Sequence, residues 1–301
     1  MSPRRVQALR MLLLSVLSAL LFGGLYLLFV RTVPGQRFDD IAFEGRKATR
    51  LAVRRPITFV LHFLTVPSIV LGCAIIAVDT VRRKQWSTCV AALGSIALTI
   101  FLARFLKVEL ARPELVDPAY ANSRNSFPSG HTAAVMAVLL AAISACEQWV
   151  RPALAAVSGC AIAVVTAALL GSGWHRPSDV LAGLCLAVVI VGLSTSLRLC
   201  LVQEPICSDR SSSLLDKLGL PKSLNGLLPV WAVALVAINA VALLALIRNP
   251  SANPSHSLLS YMVVVVVCCS LGMSAVFTFA QILTPFQVLS EQETESERAY
   301  Q

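Results

Sequence analysis

The feature that most constrains this chain is a series of long stretches without Asp, Glu, Lys or Arg. The 301-residue sequence is 56% hydrophobic and only 14% charged, whereas soluble domains carry about 25% charged residues. A helix that crosses a bilayer needs about 20 apolar residues. The pattern therefore excludes a water-soluble enzyme, a nucleic-acid reader and a disordered chain, and it predicts an all-α, polytopic membrane helix bundle. The uncharged stretches are 11–30, 56–78, 85–103, 132–146, 152–175, 180–197, 223–247 and 249–290.

Turn residues between these stretches predict eight transmembrane helices, with both chain ends on the same side of the membrane. The first stretch follows Arg4, Arg5 and Arg10 as a signal peptide would. Its apolar run is long, however, and no small-x-small cleavage site follows it, so we predict a retained helix. The predicted helices are 11–30, 57–79, 86–105, 131–149, 153–172, 179–199, 227–247 and 258–284.

Composition divides the chain into five segments. Residues 1–56 hold a first helix and a basic loop. Residues 57–200 hold five more helices, which complete a six-helix core, and carry the polar motifs described below. A polar, Ser-rich loop follows at 201–226, then two additional helices at 227–290 and an acidic tail at 291–301 that we expect to be disordered. In the basic loop, five cations alternate with apolar residues and predict a helix lying on lipid headgroups: Arg46, Lys47, Arg50, Arg54 and Arg55.

The net charge of +9 is spread over loops between apolar runs, so anionic lipid headgroups are the expected partners rather than nucleic acid. Basic residues are about equally frequent on the two sides of the predicted topology. The short cluster Arg82-Arg83-Lys84 favours an N-terminus inside the cell. Eight of the nine cysteines lie in or beside apolar runs, without a CxxC spacing, and are interpreted as packing residues. No feature of the sequence predicts an oligomeric state.

Polar residues gather at three junctions between helices that face the same side in this topology. The first is the segment 107–113, the second is Pro128-Ser129-Gly130-His131, and the third is His175-Arg176-Pro177-Ser178-Asp179. Backbone N–H groups at Ser129 and Gly130, just before a helix, form a natural anion site. Lys107 and Arg112 can add the positive charge that phosphate binding requires.

The two histidines at these junctions suit proton transfer and nucleophilic attack on phosphorus. If a helix begins near residue 175, Asp179 follows His175 by one turn. Its carboxylate can then accept a hydrogen bond from Nδ1–H of the imidazole and leave Nε2 free as a nucleophile. A protonated His131 would supply a proton to the leaving oxygen. Each histidine could instead simply cap or brace a loop, and Lys107 and Arg112 could be interface cations.

Carboxylates on this side are few, which argues against metal-assisted chemistry. Two-metal phosphoryl transfer needs several carboxylates around the ions. We therefore expect a reaction without a metal or any other cofactor. The available residues, Glu109, Glu114, Asp117 and Asp179, make no recognisable ligand pattern.

Together these residues resemble the type 2 phosphatidic acid phosphatase superfamily, whose signature stretches are K-x6-R-P, P-S-G-H and S-R-x5-H-x3-D. The second stretch matches in full at 128–131, and the end of the third matches as His175-x3-Asp179. The resemblance covers roughly residues 60–200. It implies that His175 with Asp179 is the nucleophile, that His131 is the general acid, and that Lys107, Arg112, Ser129 and Gly130 bind phosphate.

The first stretch is shorter here than in the signature. It is K-x4-R-P, so that a strict alignment places Glu114 where the family has Arg, and we assign Arg112 instead. Residues five apart do not share a helix face, so Lys107 and Arg112 converge only if the helix ends between them. Pro113 favours that ending, because the residue before a proline avoids the helical conformation.

The third stretch lacks its opening Ser and Arg. Ala168 and Leu169 stand at those positions, so one phosphate-binding cation of the family is missing. Arg176 and Arg124 are the nearby candidates to replace it.

The sequence thus predicts a metal-independent membrane phosphatase that hydrolyses a lipid-linked phosphomonoester or pyrophosphate through a phosphohistidine, at the outer face of the plasma (inner) membrane. The missing cation tilts the prediction toward a monoester. An alternative is a non-catalytic relative that binds phospholipid headgroups or scaffolds a membrane complex. A transporter or channel is disfavoured, because most helix centres carry no charge.

Overall fold

The computed structural model describes residues 2–48, 51–116, 125–202 and 254–284, and the regular structure of these parts is entirely helical. A π-helical turn, Tyr26–Val30, extends the first α-helix, and a 3₁₀ turn, Arg46–Ala48, follows the second. The α-helices are α1 (Pro3–Leu25), α2 (Val33–Gly45), α3 (Leu51–Arg82), α4 (Trp86–Glu109), α5 (Gly130–Ala145), α6 (Arg151–Ser172), α7 (Pro177–Leu201) and α8 (Pro254–Leu283).

The all-α membrane fold predicted from the uncharged stretches is confirmed. Among the described residues, five segments are long and apolar enough to cross a bilayer: Pro3–Val30, Trp86–Glu109, Arg151–Ser172, Pro177–Leu201 and Leu258–Leu283. Helix α5 is apolar but has only 16 residues. The predicted helix at 227–247, nearly all of the predicted loop at 201–226, and the tail at 291–301 lie outside the described residues.

Helix α7 lies at the centre of the bundle and packs against α1, α4 and α5, while α8 packs against α6 and α2. The approach of α5 to α7 requires a glycine, because a Cβ atom at Gly183 would lie 2.6 Å from the carbonyl oxygen of Ser129. The side chain of Gln7 in α1 donates to the carbonyl of Leu283 in α8 at 3.4 Å. The first and last described helices therefore meet at one end of the bundle, in agreement with the predicted topology.

Helix α2 precedes the basic residues 46–55 on which the interfacial helix was predicted, and it is a further helix that the sequence analysis did not predict. It begins earlier, where Thr32 caps it by accepting from the backbone N–H of Gly35 at 3.1 Å and proline occupies the first turn. Most of its residues are buried, including Phe38, Asp39 and Asp40, because α2 packs into the bundle against α8 and α7. Of the predicted basic stretch, residues 54 and 55 belong to α3.

Arginine side chains cap helices at the end where α1 begins and α8 ends. They donate to the last carbonyls of the short helix α5: Arg83 to Ala145 at 2.6 Å, Arg198 to Ser144 at 3.4 Å, and Arg151 to Ile143 and Cys146 at 3.2 and 3.3 Å. Arg151 also donates to the carbonyl of Leu283. A helix end without partners is costly at membrane depth, because no water satisfies its carbonyls.

Replacing Arg151 by methionine should lower the free energy of unfolding by about 3 kcal/mol, because the carbonyls of Ile143, Cys146 and Leu283 would each lose one hydrogen bond from a charged donor. The measurement is the unfolding midpoint and free energy of the purified protein in detergent micelles. Arg82→Met is the matched control, since Arg82 is exposed at the end of α3. Equal stability of the two variants would contradict a capping role for Arg151.

Candidate active site

The start of α5 joins the second polar stretch to the third. Ser129 is the N-cap, and its hydroxyl oxygen accepts from the backbone N–H of Thr132 at 3.3 Å and from the Thr132 hydroxyl at 2.9 Å. The backbone N–H of Ser129 donates to the carbonyl of Asp179 at 2.8 Å. Ser129 is fully buried, whereas Gly130 and His131 are partly exposed. The first turn of α5 is thus fixed against the first turn of α7, with His131 at its open side.

The two histidines of the predicted site face each other. The ring centroids of His131 and His175 are 6.0 Å apart, and Trp174 lies 5.2 Å from His131. A left-handed residue, Gly173 with φ 76°, ends α6 and turns the chain into this segment. His175 is 5% exposed. At this separation both rings can reach one phosphoryl group between them.

Asp179 is oriented toward His175 and held by other donors. Its Oδ2 accepts from the backbone N–H of Arg176 at 2.9 Å and from the hydroxyl of Ser126. The distance from Nδ1 of His175 to the same oxygen is 3.7 Å, which is an ion-pair distance and longer than a hydrogen bond. Catalytic hydrogen bonds are often long before substrate binds. The geometry leaves Nε2 of His175 as the nitrogen on the side away from Asp179.

The first stretch brings its cation to the same place. Helix α4 ends at Glu109, between Lys107 and Arg112, as their convergence requires. The Arg112 guanidinium lies 3.8 Å from Oδ1 of Asp179, and its side chain is 8% exposed. Lys107 lies within electrostatic range of Asp179. The side-chain amide of Asn125 donates to the backbone carbonyl of Lys107 at 2.9 Å and thereby caps the C-terminal end of α4.

Two acidic residues of α2 reach the site, although the sequence analysis did not assign them. Asp39 accepts from Arg112 at 3.2 Å and from the backbone N–H and hydroxyl of Ser178 at 3.1 and 2.6 Å. Asp40 accepts from Nε of Arg176 at 2.6 Å. The helix-start signal at Thr32 and Pro34, followed by adjacent carboxylates, was the local clue to a buried polar helix.

Burial and charge act in opposite directions on this acidic pair. Loss of hydration raises the pKa of Asp39, and Arg112 opposes that rise. Burial likewise raises the pKa of Asp40, against the effect of Arg176. Burial alone would lower the pKa of Arg176, but Asp39 and Asp40 outweigh it, so this guanidinium pKa is raised. The arginines are thus held as partners of buried carboxylates.

The structure also locates the candidates for the missing cation. Leu169, at the position where the family signature has Arg, is fully buried. Arg176 is 3% exposed and lies against Asp40, whereas Arg124 lies outside the described residues. Within the described part of the chain, no group of three or more His, Cys, Asp or Glu side chains is placed to hold a metal ion.

Three buried polar atoms converge at the centre of the site. Nη1 of Arg112, Nδ1 of His175 and Oδ1 of Asp179 have no hydrogen-bond partner among the described residues. Buried polar atoms without partners are rare and often mark functional sites. Here they belong to a cation, an imidazole and a carboxylate. The Asp179 carboxylate lies within 4 Å of both the Arg112 guanidinium and the His175 imidazole. This arrangement can bind an anion and activate a histidine.

Residues 86–199 match the family model described as the PAP2 superfamily. The matched segment runs from α4 to within α7 and contains all three polar stretches. It confirms the resemblance predicted from the sequence and is consistent with membership of the type 2 phosphatidic acid phosphatase superfamily. Such a match implies phosphatase-type activity on phosphate esters. No curated protein and no solved structure matches the chain significantly.

Proposed function

We propose that this protein is a membrane phosphatase that hydrolyses a lipid-linked phosphomonoester or diphosphate without a metal ion. The observation that carries the proposal is the convergence of a buried His175–Asp179 pair, a second histidine 6.0 Å from the first, and Arg112 beside the same carboxylate. This set contains a nucleophile, an acid and a cation, which are the groups that phosphoryl transfer without metal requires.

In the proposed first step, Nε2 of His175 attacks phosphorus as the bond from phosphorus to the leaving oxygen breaks. His131 donates a proton to that oxygen. Asp179 stabilises the positive charge that develops on the His175 imidazole, because its carboxylate faces Nδ1. The product of this step is a phosphohistidine and a lipid alcohol, or a lipid monophosphate when the substrate is a diphosphate.

In the second step, His131 now acts as a base and takes a proton from water, whose oxygen attacks the phosphohistidine. The bond from nitrogen to phosphorus breaks, and inorganic phosphate leaves. Throughout, Lys107 and Arg112 offset the negative charge of the phosphoryl oxygens. At the start of α5 the backbone N–H of Gly130 binds them, because the Ser129 N–H already donates to the carbonyl of Asp179.

The surroundings of the site support a lipid as the leaving group. Helix α4 carries Lys107 near its end, and next to it Phe101, Phe105 and Val108 are 61%, 48% and 80% exposed. Exposed apolar residues on a membrane-spanning helix face acyl chains. A substrate anchored in the bilayer could thus bring its headgroup to Lys107 along this surface. The basic cluster 82–84 lies at the opposite end of the bundle, which supports a site on the outer face of the plasma (inner) membrane.

Phosphate release from phosphatidate and from a polyprenyl diphosphate, presented in detergent micelles with excess EDTA, tests this proposal. We expect release from at least one lipid at a rate that EDTA leaves unchanged within about twofold, since no step needs a metal. Loss of activity in EDTA with recovery on adding Mg²⁺ would contradict the metal-free mechanism. Phosphate binding by a folded protein without any release would instead identify the non-catalytic headgroup-binding alternative.

A further inference from the structure

We propose that Asp39 is a positioning residue for the phosphatase reaction, which holds Arg112 beside Asp179 and sets the charge that the site offers to its substrate. This inference rests on the proposed function above. Asp39 lies on α2, outside the segment that matches the family model. Its role therefore comes from the contacts of this chain.

The contacts of Asp39 tie the first polar stretch to the third. The Asp39 carboxylate accepts from the Arg112 guanidinium at 3.2 Å. It also accepts from the backbone N–H of Ser178 at 3.1 Å and from the Ser178 hydroxyl at 2.6 Å, and these two bonds hold the first turn of α7. Asp39 is completely buried. Arg112 can consequently approach Asp179 only in the orientation that Asp39 permits.

A second residue of α2 fixes the backbone around Arg112. The Gln36 side chain, one turn before Asp39, donates to the carbonyl of Pro113 at 2.7 Å and accepts from the backbone N–H of Leu115 at 3.3 Å. Gln36 is anchored in turn by donating to the carbonyl of Val30 at 2.7 Å. Side chain and backbone of the R-P stretch are thus both held by one face of α2.

The same contacts determine the charge of the site. Apart from the His131 imidazole, which is protonated in the proposed first step, the described site residues include three cations, Lys107, Arg112 and Arg176, and three carboxylates. Two of these carboxylates, Asp39 and Asp40, come from α2, and the third is Asp179. A terminal diphosphate carries more negative charge than a monoester and needs more uncompensated positive charge. A site balanced in this way favours the phosphomonoester.

A double-mutant cycle separates positioning from a merely structural role. Asp39→Asn and Arg112→Gln should each lower kcat/KM for a phosphomonoester by about 100-fold, the scale of a misplaced binding group. The double variant should be within about threefold of Arg112→Gln alone, because Asp39 acts through Arg112. Asp40→Asn is the matched control: it lies on the same helix, makes the same charge change and accepts from Arg176. Its loss combined with that of Arg112→Gln should therefore be closer to the product of the two single losses than to the loss in Arg112→Gln alone.

A second readout does not depend on the fraction of protein that folds. Asp39→Asn adds one positive charge, so it should raise the ratio of diphosphate to monoester hydrolysis by about 10-fold, the effect expected of one charge near a site of intermediate dielectric. Asp79→Asn should leave the ratio unchanged, because Asp79 pairs with Arg83 at the opposite end of the bundle.

An unchanged ratio in Asp39→Asn, or a double variant whose loss is the product of the two single losses, would overturn the inference. Either result could be obtained while wild-type release still depends on His175, which would leave the proposed function intact. Absence of His175-dependent release from both lipids would instead contradict the proposed function, and this inference with it.

Discussion

The His175→Ala variant should release phosphate at least about 10⁴-fold more slowly than the wild type, the scale of loss when a catalytic nucleophile is removed. No other imidazole among the described residues lies next to Asp179 to take over as nucleophile, so any residual rate should come from the remaining binding and charge stabilisation. The measurement is kcat in detergent micelles with the lipid that the wild type hydrolyses best. His62→Ala, a histidine of α3 outside the three signature stretches, should retain activity within about threefold if packing is its role.

A covalent trap makes this prediction sharper. With a substrate labelled on phosphorus, a rapid alkaline quench of the wild type should retain label on the protein, since phosphohistidine survives base and is lost in acid. His175→Ala should retain none, and His131→Ala should retain label and release it slowly, because His131 also serves the second step. Label on the His175→Ala protein would show that another residue is the nucleophile.

The Asp179→Asn variant should lower kcat by about 10³ to 10⁴-fold with a small change in KM, the range found when the carboxylate behind a catalytic histidine becomes an amide. Asparagine preserves the shape and one acceptor oxygen for the Arg176 backbone N–H. It removes the charge that faces His175 and Arg112, and its amide can present a hydrogen to Nδ1 that selects the wrong tautomer of the imidazole.

The matched control is Asp79→Asn. Asp79 also pairs with an arginine one turn away, Arg83, but at the far end of α3, so its neutralisation should leave kcat within about twofold, as is usual for surface ion pairs. Thermal unfolding of both variants measures any loss of fold. Equal kcat values in Asp179→Asn and the wild type would show that the Asp179 charge does not contribute to catalysis.

The membrane-spanning helices could be predicted from the sequence because each depends on a local run of apolar residues. Stretches of apolar residues determine the membrane spans, and Ser129 and Pro113 mark where α5 begins and why α4 ends before Arg112. The juxtaposition of the three polar stretches could also be predicted, since alternating spans place alternate loops on the same side. These inferences need only the helix period, the bilayer thickness and the properties of helix ends.

The contribution of α2 could not be predicted in this way. Asp39 and Ser178 are 139 positions apart, and nothing local to either residue specifies the other. The stretch around Asp39 also contains seven basic residues between 31 and 56, which suggested a surface helix at the lipid headgroups. Tertiary contacts with α7 and α8 instead bury this helix, and their strength depends on side chains far away in the sequence.

The distance between Nδ1 of His175 and Oδ2 of Asp179 shows a second feature that the sequence does not predict. The spacing of four residues predicted that the two side chains would lie close together if a helix began near residue 175. In the structure α7 begins at Pro177, and His175 lies before its N-cap, Arg176. Whether they form a hydrogen bond depends on competing donors, and the Arg176 backbone N–H and the Ser126 hydroxyl occupy the same carboxylate oxygen. Helical periodicity gives proximity within a turn, but not a distance to a few tenths of an ångström.

The burial of α2 beneath the signature stretches also determines which segment of this protein could be transferred with its site intact. A graft of residues 86–199 into another membrane scaffold would carry both histidines and Asp179 but leave Arg112 without Asp39, and the Pro113 carbonyl without Gln36. The smallest transplantable module therefore begins at Thr32, the cap of α2. Protein engineers who exchange catalytic cores among such scaffolds would have to move this helix with them.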